Sequence, residues 1–448
     1  LYNECKVITN EEGKPLPSAA NIFKLIRAEL GSELRLNVRT LNIECKNLPW
    51  HKSDVWRDFR ESSDLMGLTA WLQDRHCILS TPALFDALTA VAESTAVDPF
   101  VEYLSALPEW DGVPRLERWL IEAAGAEDCP YTRAVGAKFV LSIVARAKLP
   151  GCKVDTKLVL VGGQGKFKSS LLAALVPPGM FDSTPKDPRE SYKDYLARMH
   201  KSVLYEDAEM DTYSQSDIKA DKAMITNRVD SFRKPYGKTT ATYPRRFVQC
   251  GSTNEEWGFL RDATGGRRYW PVRMGEASLA WLRENQAQLW AEALAKFSQA
   301  GEQVFNGNEL PPEAYIWWLN PEEELLAKAV QQEHEDVDPW EDEIAEYLET
   351  EWSPVLVQAL NVGDVSWIGL QKEEYSTKLK YVQAHQILQL LGARTEDRRG
   401  RLVVGRIMRK MGWNPTKCQT ENVRIKAFLR PRPPLTMGSE WESWVLRK

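Results

Sequence analysis

The chain has 448 residues, 43% apolar and 27% charged, with a formal net charge of −5. That makeup fits globular domains, about three by length, and the negative balance excludes a uniform basic coat for nucleic acid. No stretch approaches the roughly 18 uninterrupted apolar residues of a membrane span, and the N-terminus lacks a charged-then-apolar leader. The seven cysteines are scattered singly, without a C-x-x-C pair. Neither a disulfide framework nor a zinc site is indicated, and a soluble cytoplasmic protein with reduced thiols is expected.

Residues 1–107 read as a winged-helix-like accessory module. Ala19–Leu30 has helical spacing, Glu33–Arg39 and Asn42–Asn47 alternate like two short strands meeting at a turn, and Asp64–Asp74 and Thr81–Ala92 are again helical, with Ser80 and Thr81 available as caps. The turn-rich Pro108–Pro114 opens a helical collar, residues 108–152, carried by the Leu116–Leu149 pattern.

Residues 153–320 then alternate apolar strands (Leu158–Val161, Val203–Tyr205, Phe247–Gly251) with helical stretches (Ser169–Leu175, Ser216–Ile225), closing on helical Leu279–Gln299. That alternation is the signature of an α/β core with a mainly parallel sheet. The first strand runs into Gly162, Gly163, Gln164, Gly165, Lys166, Phe167, Lys168, Ser169 and Ser170. A glycine loop between a strand and a helix builds a phosphate cradle: backbone amides wrap the phosphates, a lysine reaches the β/γ oxygens and a hydroxyl holds Mg²⁺. Lys168 and Ser169 fill those roles, with Lys166 a second candidate lysine. The pattern G-x-x-x-x-G-K-[ST] is met except that Phe167 stands where its second glycine belongs.

About forty residues on, Glu206, Asp207 and Glu209 follow the strand Val203–Tyr205. A strand tip bearing carboxylates is the other half of an ATPase site, one holding Mg²⁺ and one activating water. Glu206 is assigned to the metal with Asp207 as its alternative, and Glu209 is the candidate base. Between this strand and the next, Arg233, Lys234, Tyr236 and Lys238 sit on a basic hairpin turned at Pro235–Gly237, where cations meet phosphates and a ring stacks on a base. The following strand ends at Asn254, a candidate γ-phosphate sensor. Arg267 and Arg268 come next, after two glycines. They are candidates for an arginine finger supplied to a neighbouring subunit, with surface salt bridges as the other reading.

Acidic residues crowd Glu322–Glu351 against Lys328 alone, so residues 321–351 read as an acidic linker or helix. Bases crowd Arg398–Arg432 against Glu421 alone. Residues 352–448, with helical Val382–Leu391 and Gly405–Met411 and a strand pattern over Asn422–Leu429, read as a basic winged helix-turn-helix-like module, docking DNA or protein.

Trp110-Asp-Gly-Val-Pro-Arg-Leu, Tyr131-Thr-Arg-Ala-Val-Gly-x-Lys, Pro150-Gly-Cys-Lys-Val-Asp and Phe259-Leu-Arg-Asp-x-Thr-Gly-x-Arg-Arg-Tyr-Trp-Pro-Val stand in that order around the glycine loop. This set resembles the virulence-associated protein E (VapE) family from about Asp98 to Ala300. The resemblance implies a P-loop ATPase domain similar to superfamily 3 helicases, encoded by prophages and mobile elements and often beside a primase. It further implies an ATP-driven, hexameric ring motor on single-stranded DNA, with the Lys234–Lys238 hairpin lining the channel. The reading is therefore an ATP- and Mg²⁺-dependent DNA helicase or translocase of phage replication. A DNA-binding initiator that holds ATP with little hydrolysis is the alternative, and a small-molecule phosphotransferase a more distant one.

Overall fold

The structure is a computed structural model that describes residues 2, 4–76, 83–187, 189–210, 213, 215–233, 240–254, 266–301, 315–333, 340–349, 381–393, 398–419 and 424–429. They form two compact units, Leu1–Asp336 and Val337–Lys448. Among the described residues no helix is long and apolar enough to cross a membrane.

The first unit opens with helix α1 (Ala19–Leu30), capped by Ser18, whose hydroxyl accepts from the Asn21 amide. Strands β1 (Leu34–Leu36), β2 (Ile43–Cys45) and β3 (Arg57–Asp58) form a small antiparallel sheet with Leu34 opposite Cys45. Helices α2 (Ser63–His76) and α3 (Leu84–Ser94) follow. Ile22, Leu25, Ile26, Leu68, Leu72, Leu88 and Val91 build its separate core. The candidate caps Ser80 and Thr81 lie outside the described residues. Asp98 caps α4 (Pro99–Ser105), which has proline in its first turn. The sequence reading ended this module at residue 107, whereas Phe100 and Leu104 belong to the larger core beyond it, Phe100 lying edge-on to Trp290.

Five parallel strands form the main sheet: β4 (Lys157–Val161), β5 (Phe181–Asp182), β6 (Leu204–Asp207), β9 (Val248–Thr253) and β10 (Tyr269–Arg273), in the order β10-β4-β9-β6-β5. Leu158 pairs with Cys250, Glu206 with Cys250 from the other side, and Tyr269 with Lys157. β4 and β9 are buried along their whole length, as strands covered on both faces must be. Successive residues point to opposite faces. One face, with Leu158, Leu160, Val248, Cys250 and Trp270, shares a core with helices α5 (Trp119–Ala124), α6 (Pro130–Lys148), α7 (Lys168–Leu175) and α10 (Leu279–Gly301). The other, with Val159, Val161 and Tyr269, packs with Met210 and with Ile225 of α9 (Gln215–Thr226). α6 is buried nearly all round, so the expected collar is one layer of an α/β/α sandwich. Strands β7 (Val229–Phe232) and β8 (Ala241–Pro244) are the antiparallel arms of the basic hairpin.

The acidic stretch, residues 321–351, read as a linker or helix, holds two helices among its described residues. Its first part is helix α11 (Pro321–Glu333), with Ala327 in the core and Gln331 Nε2 donating to the Tyr269 carbonyl at 2.7 Å. Its second part is helix α12 (Trp340–Glu349), within the other unit. α12 buries Ile344, Tyr347 and Leu348, whereas α11 buries Ala327 and Gln331 and leaves Leu325 and Leu326 exposed, which the charge count alone conceals.

In the second unit, Ile344, Tyr347 and Leu348 of α12 pack with Val382, Ile387, Val404, Ile407, Met408, Trp413 and Phe428. Helices Ala384–Leu390 and Arg398–Lys410 precede an antiparallel hairpin of Asn414–Gln419 and Arg424–Leu429, with Tyr381–Val382 beside the latter strand.

Candidate nucleotide site

The buried strand β4 delivers Gly162 at its C-terminal end, and the Gly162 amide donates to the Thr253 carbonyl of β9 at 3.2 Å. Gly165 takes φ 85°, and Phe167, at the N-cap of α7, takes φ 57° in the left-handed region that favours glycine. The phenylalanine therefore stands in a backbone conformation suited to the glycine it replaces, with its side chain turned out and 61% exposed. No side chain caps α7, so its first-turn amides face the loop.

Lys168 is buried and its Nζ donates to the carbonyls of Gly162 and Gly163 and, at 2.9 Å, to Asn254 Oδ1. Lys166 is turned the other way, donating to the Met274 carbonyl at 3.1 Å. Ser169 Oγ donates to Glu206 Oε1 at 2.9 Å. Residues at or after three strand ends thus meet at one end of the sheet, Lys168 bonding Asn254 across 86 positions of sequence.

Glu206 and Asp207 are adjacent on β6 and point to opposite faces. Glu206, 1% exposed, faces the loop, and burial pushes its carboxyl pKa up against the hydroxyls of Ser252 and Ser169, which pull it down. No donor among the described residues meets hydrogen-bond geometry at its buried Oε2. Asp207 faces away, bound by Lys157 Nζ at 2.5 Å, Tyr213 OH at 3.2 Å and Gln249 Nε2 at 3.3 Å. Its carboxylate is committed to that network, leaving Glu206 as the metal candidate of the pair. Glu206 with Ser169 fits a divalent cation, because a buried carboxylate oxygen without a donor needs a positive partner.

Glu209 lies two residues past β6, exposed and at φ 54°. Arg267 and Arg268 precede β10, whose first residue pairs with Lys157, so they stand at the end of the sheet opposite the glycine loop. Arg267 is well exposed, with Asp155 3.9 Å away. Arg233 is exposed where β7 ends, while Lys234, Tyr236 and Lys238 lie outside the described residues. The hairpin base is fixed from below: Arg245 Nε and Nη2 grip Asp230 at 2.6 and 2.7 Å, and His200 Nε2, on helix α8 (Tyr192–Lys201), lies 3.0 Å from the same carboxylate.

Sequence reasoning missed Ser252, Lys157, Asp221 and Tyr269. Only Lys157 carried a signal, a charge at the head of an otherwise apolar strand.

Fold and site together define an α/β protein whose parallel sheet gathers a glycine loop, a lysine, a serine and a buried carboxylate at the C-terminal edge of its strands. The virulence-associated protein E-like domain matches residues 104–336, and the chain belongs to that family. No curated protein matches it. Among solved structures it is similar to two apo structures of the NrS-1 C-terminal region, at 11% and 12% identity, each with a TM-score of 0.48, covering 92% of this chain and 98% and 99% of theirs.

Proposed function

We propose that the chain is a P-loop ATP hydrolase of the superfamily 3 helicase type, working on single-stranded DNA as a ring-shaped homo-oligomer in phage or mobile-element replication. The observation that carries this reading is the meeting of Lys168 with Asn254 and of Ser169 with Glu206 at the mouth of the glycine loop. The reaction is ATP plus water to ADP and phosphate. Lys168 exchanges the Gly162 and Gly163 carbonyls for phosphate oxygens, and the uncapped amides of α7 receive the remaining charge. Ser169 and Glu206 would hold Mg²⁺, which would supply charge neutralisation for the phosphates. Glu209 takes the proton of the attacking water, and Asn254 orients the γ-phosphate. Arg267 or Arg268 of a neighbouring copy stabilises the charge of the transition state. The hairpin bearing Lys234, Tyr236 and Lys238 contacts DNA, and a primase is the expected functional partner.

The competing reading, an initiator that holds ATP with little turnover, draws on Phe167 in its left-handed conformation. One assay separates them: Mg²⁺-dependent phosphate release with and without single-stranded DNA, for the native chain and Lys168→Ala. A hydrolase is expected to respond to DNA and to lose at least about 100-fold in Lys168→Ala. Turnover at background in the native chain with DNA present favours the initiator.

A further inference from the structure

On the face of the sheet away from Glu206, where β4 and β10 begin, lies a buried polar cluster. Lys157 is fully buried, and its Nζ is 2.5 Å from Asp207 Oδ2 and 2.7 Å from Asp221 Oδ1. Tyr269 OH donates to Asp221 Oδ2 at 2.8 Å, and Gln331 Nε2 donates to the Tyr269 carbonyl. One ammonium thus joins two carboxylates on different elements, with tyrosine hydroxyls on the outer oxygens of both. Such a network is stable only when fully connected, because removing its cation leaves two uncompensated buried charges.

The elements it joins matter. Asp207 follows Glu206 directly, so what fixes Asp207 fixes the strand tip that aims Glu206. Asp221 belongs to α9, which reaches β7 of the basic hairpin after two residues. Tyr269 opens β10 immediately after Arg267 and Arg268. The site-facing carboxylate, the hairpin and the arginine turn are therefore all tied to one side chain.

We propose that Lys157 is a positioning residue that links the basic hairpin and the arginine turn to the placement of Glu206, so that DNA engagement sets the rate at the nucleotide site. This rests on the ATPase reading above. Lys157 neutralises Asp207 and Asp221 together on the far face, and a shift of α9 is passed through Asp221 to the β6 tip. The coupling travels through a continuous chain of buried hydrogen bonds, where rearrangement at one end cannot be absorbed by solvent.

The test uses the full chain and reads the ratio of DNA-stimulated to basal turnover, from which the fraction of folded protein cancels. Lys157→Met is expected to bring the ratio down to about 1, with KM for ATP changed less than about threefold. Tyr269→Phe removes one hydroxyl while keeping the ring in the core, and is expected to lower the ratio at least about threefold with basal turnover nearly unchanged. It decides the matter if Lys157→Met does not fold. Adding Asp207→Asn to Lys157→Met is expected to recover folding stability without recovering the ratio, because it removes an uncompensated buried charge but not the broken link. A native chain that responds to DNA, with Tyr269→Phe responding equally, overturns the coupling and leaves the ATPase reading intact. A native chain without Mg²⁺-dependent turnover overturns both.

Discussion

Phe167 is the residue at which local conformation and side-chain chemistry disagree. A phenylalanine at φ 57° costs roughly 1 kcal/mol relative to glycine, and its exposed ring recovers little of that by burial. Phe167→Gly is therefore expected to leave folding stability unchanged or raise it by up to about 1 kcal/mol, glycine's greater freedom in the unfolded chain opposing the relief. If Phe167 is what limits turnover, the same variant hydrolyses ATP faster; equal turnover shows that the loop has adapted to the ring. Thermal unfolding and phosphate release on one preparation read both. The neighbouring question, whether Glu206 or Asp207 faces the nucleotide, was not legible in the sequence. Alternation says that the two point apart, but which face carries the loop depends on how β6 sits against β9, a pairing in which Glu206 meets Cys250, 44 residues away in sequence. Asn254 was legible because it follows β9 directly, and Lys168 and Ser169 because the glycine loop after β4 leads into the first turn of α7, so local order is enough to aim them.

At the scale of elements, the hairpin arms stand on a buried charge cluster. Burial alone pushes the Asp230 carboxyl up, but hydrogen bonds from His200 and Arg245 outweigh it and hold its pKa at about 2, against 3.8 unperturbed. A carboxyl lowered in the folded state contributes stability that is present above its unfolded value and lost as pH falls through the folded one. The arms are thus expected to lose about 2 kcal/mol between roughly pH 4 and pH 2. His200, lowered by burial, adds a loss in the window below its usual 6.5, since the unfolded chain takes up that proton first. Hydrogen exchange of the β7 and β8 amides across pH gives the measurement, with Asp230→Asn as control. A stability gap between native and variant that stays constant down to pH 2 would show that the carboxylate's charge is not what anchors the arms. The long elements were legible from period alone: Ala19–Leu30 is helical over the residues expected, and the three central strands lie where their apolar runs do. Two-residue β5 has no period to read, and Asn414–Gln419 contains Pro415, which has no backbone N–H to give a ladder, yet it pairs along its length with Arg424–Leu429.

At the scale of the whole molecule, the sheet itself separates the two halves of the proposed chemistry. Arg267 precedes a strand whose four steps from Tyr269 to Arg273 span about 13 Å before reaching the level of the glycine loop, so it cannot serve the site of its own chain without unpairing β10. In the closed, head-to-tail ring proposed above, a neighbour would present this edge to the next subunit's loop, the heterologous contact such a ring requires. Lys168→Ala and Arg267→Ala are then each expected to be inactive alone and to complement when mixed before assembly. A site regains activity only where an Arg267→Ala subunit, with its lysine intact, is followed by a Lys168→Ala subunit, with its arginine intact. Random mixing in equal amounts makes about one interface in four of that kind, so independent sites return up to about a quarter of native turnover. If the arginine acted within its own chain, every subunit would carry one defect and the mixture would stay at the level of the single variants. Varying the mixing ratio sharpens the distinction: complementation between neighbours peaks at equal proportions and falls symmetrically on either side, whereas a contaminating native activity follows one component linearly.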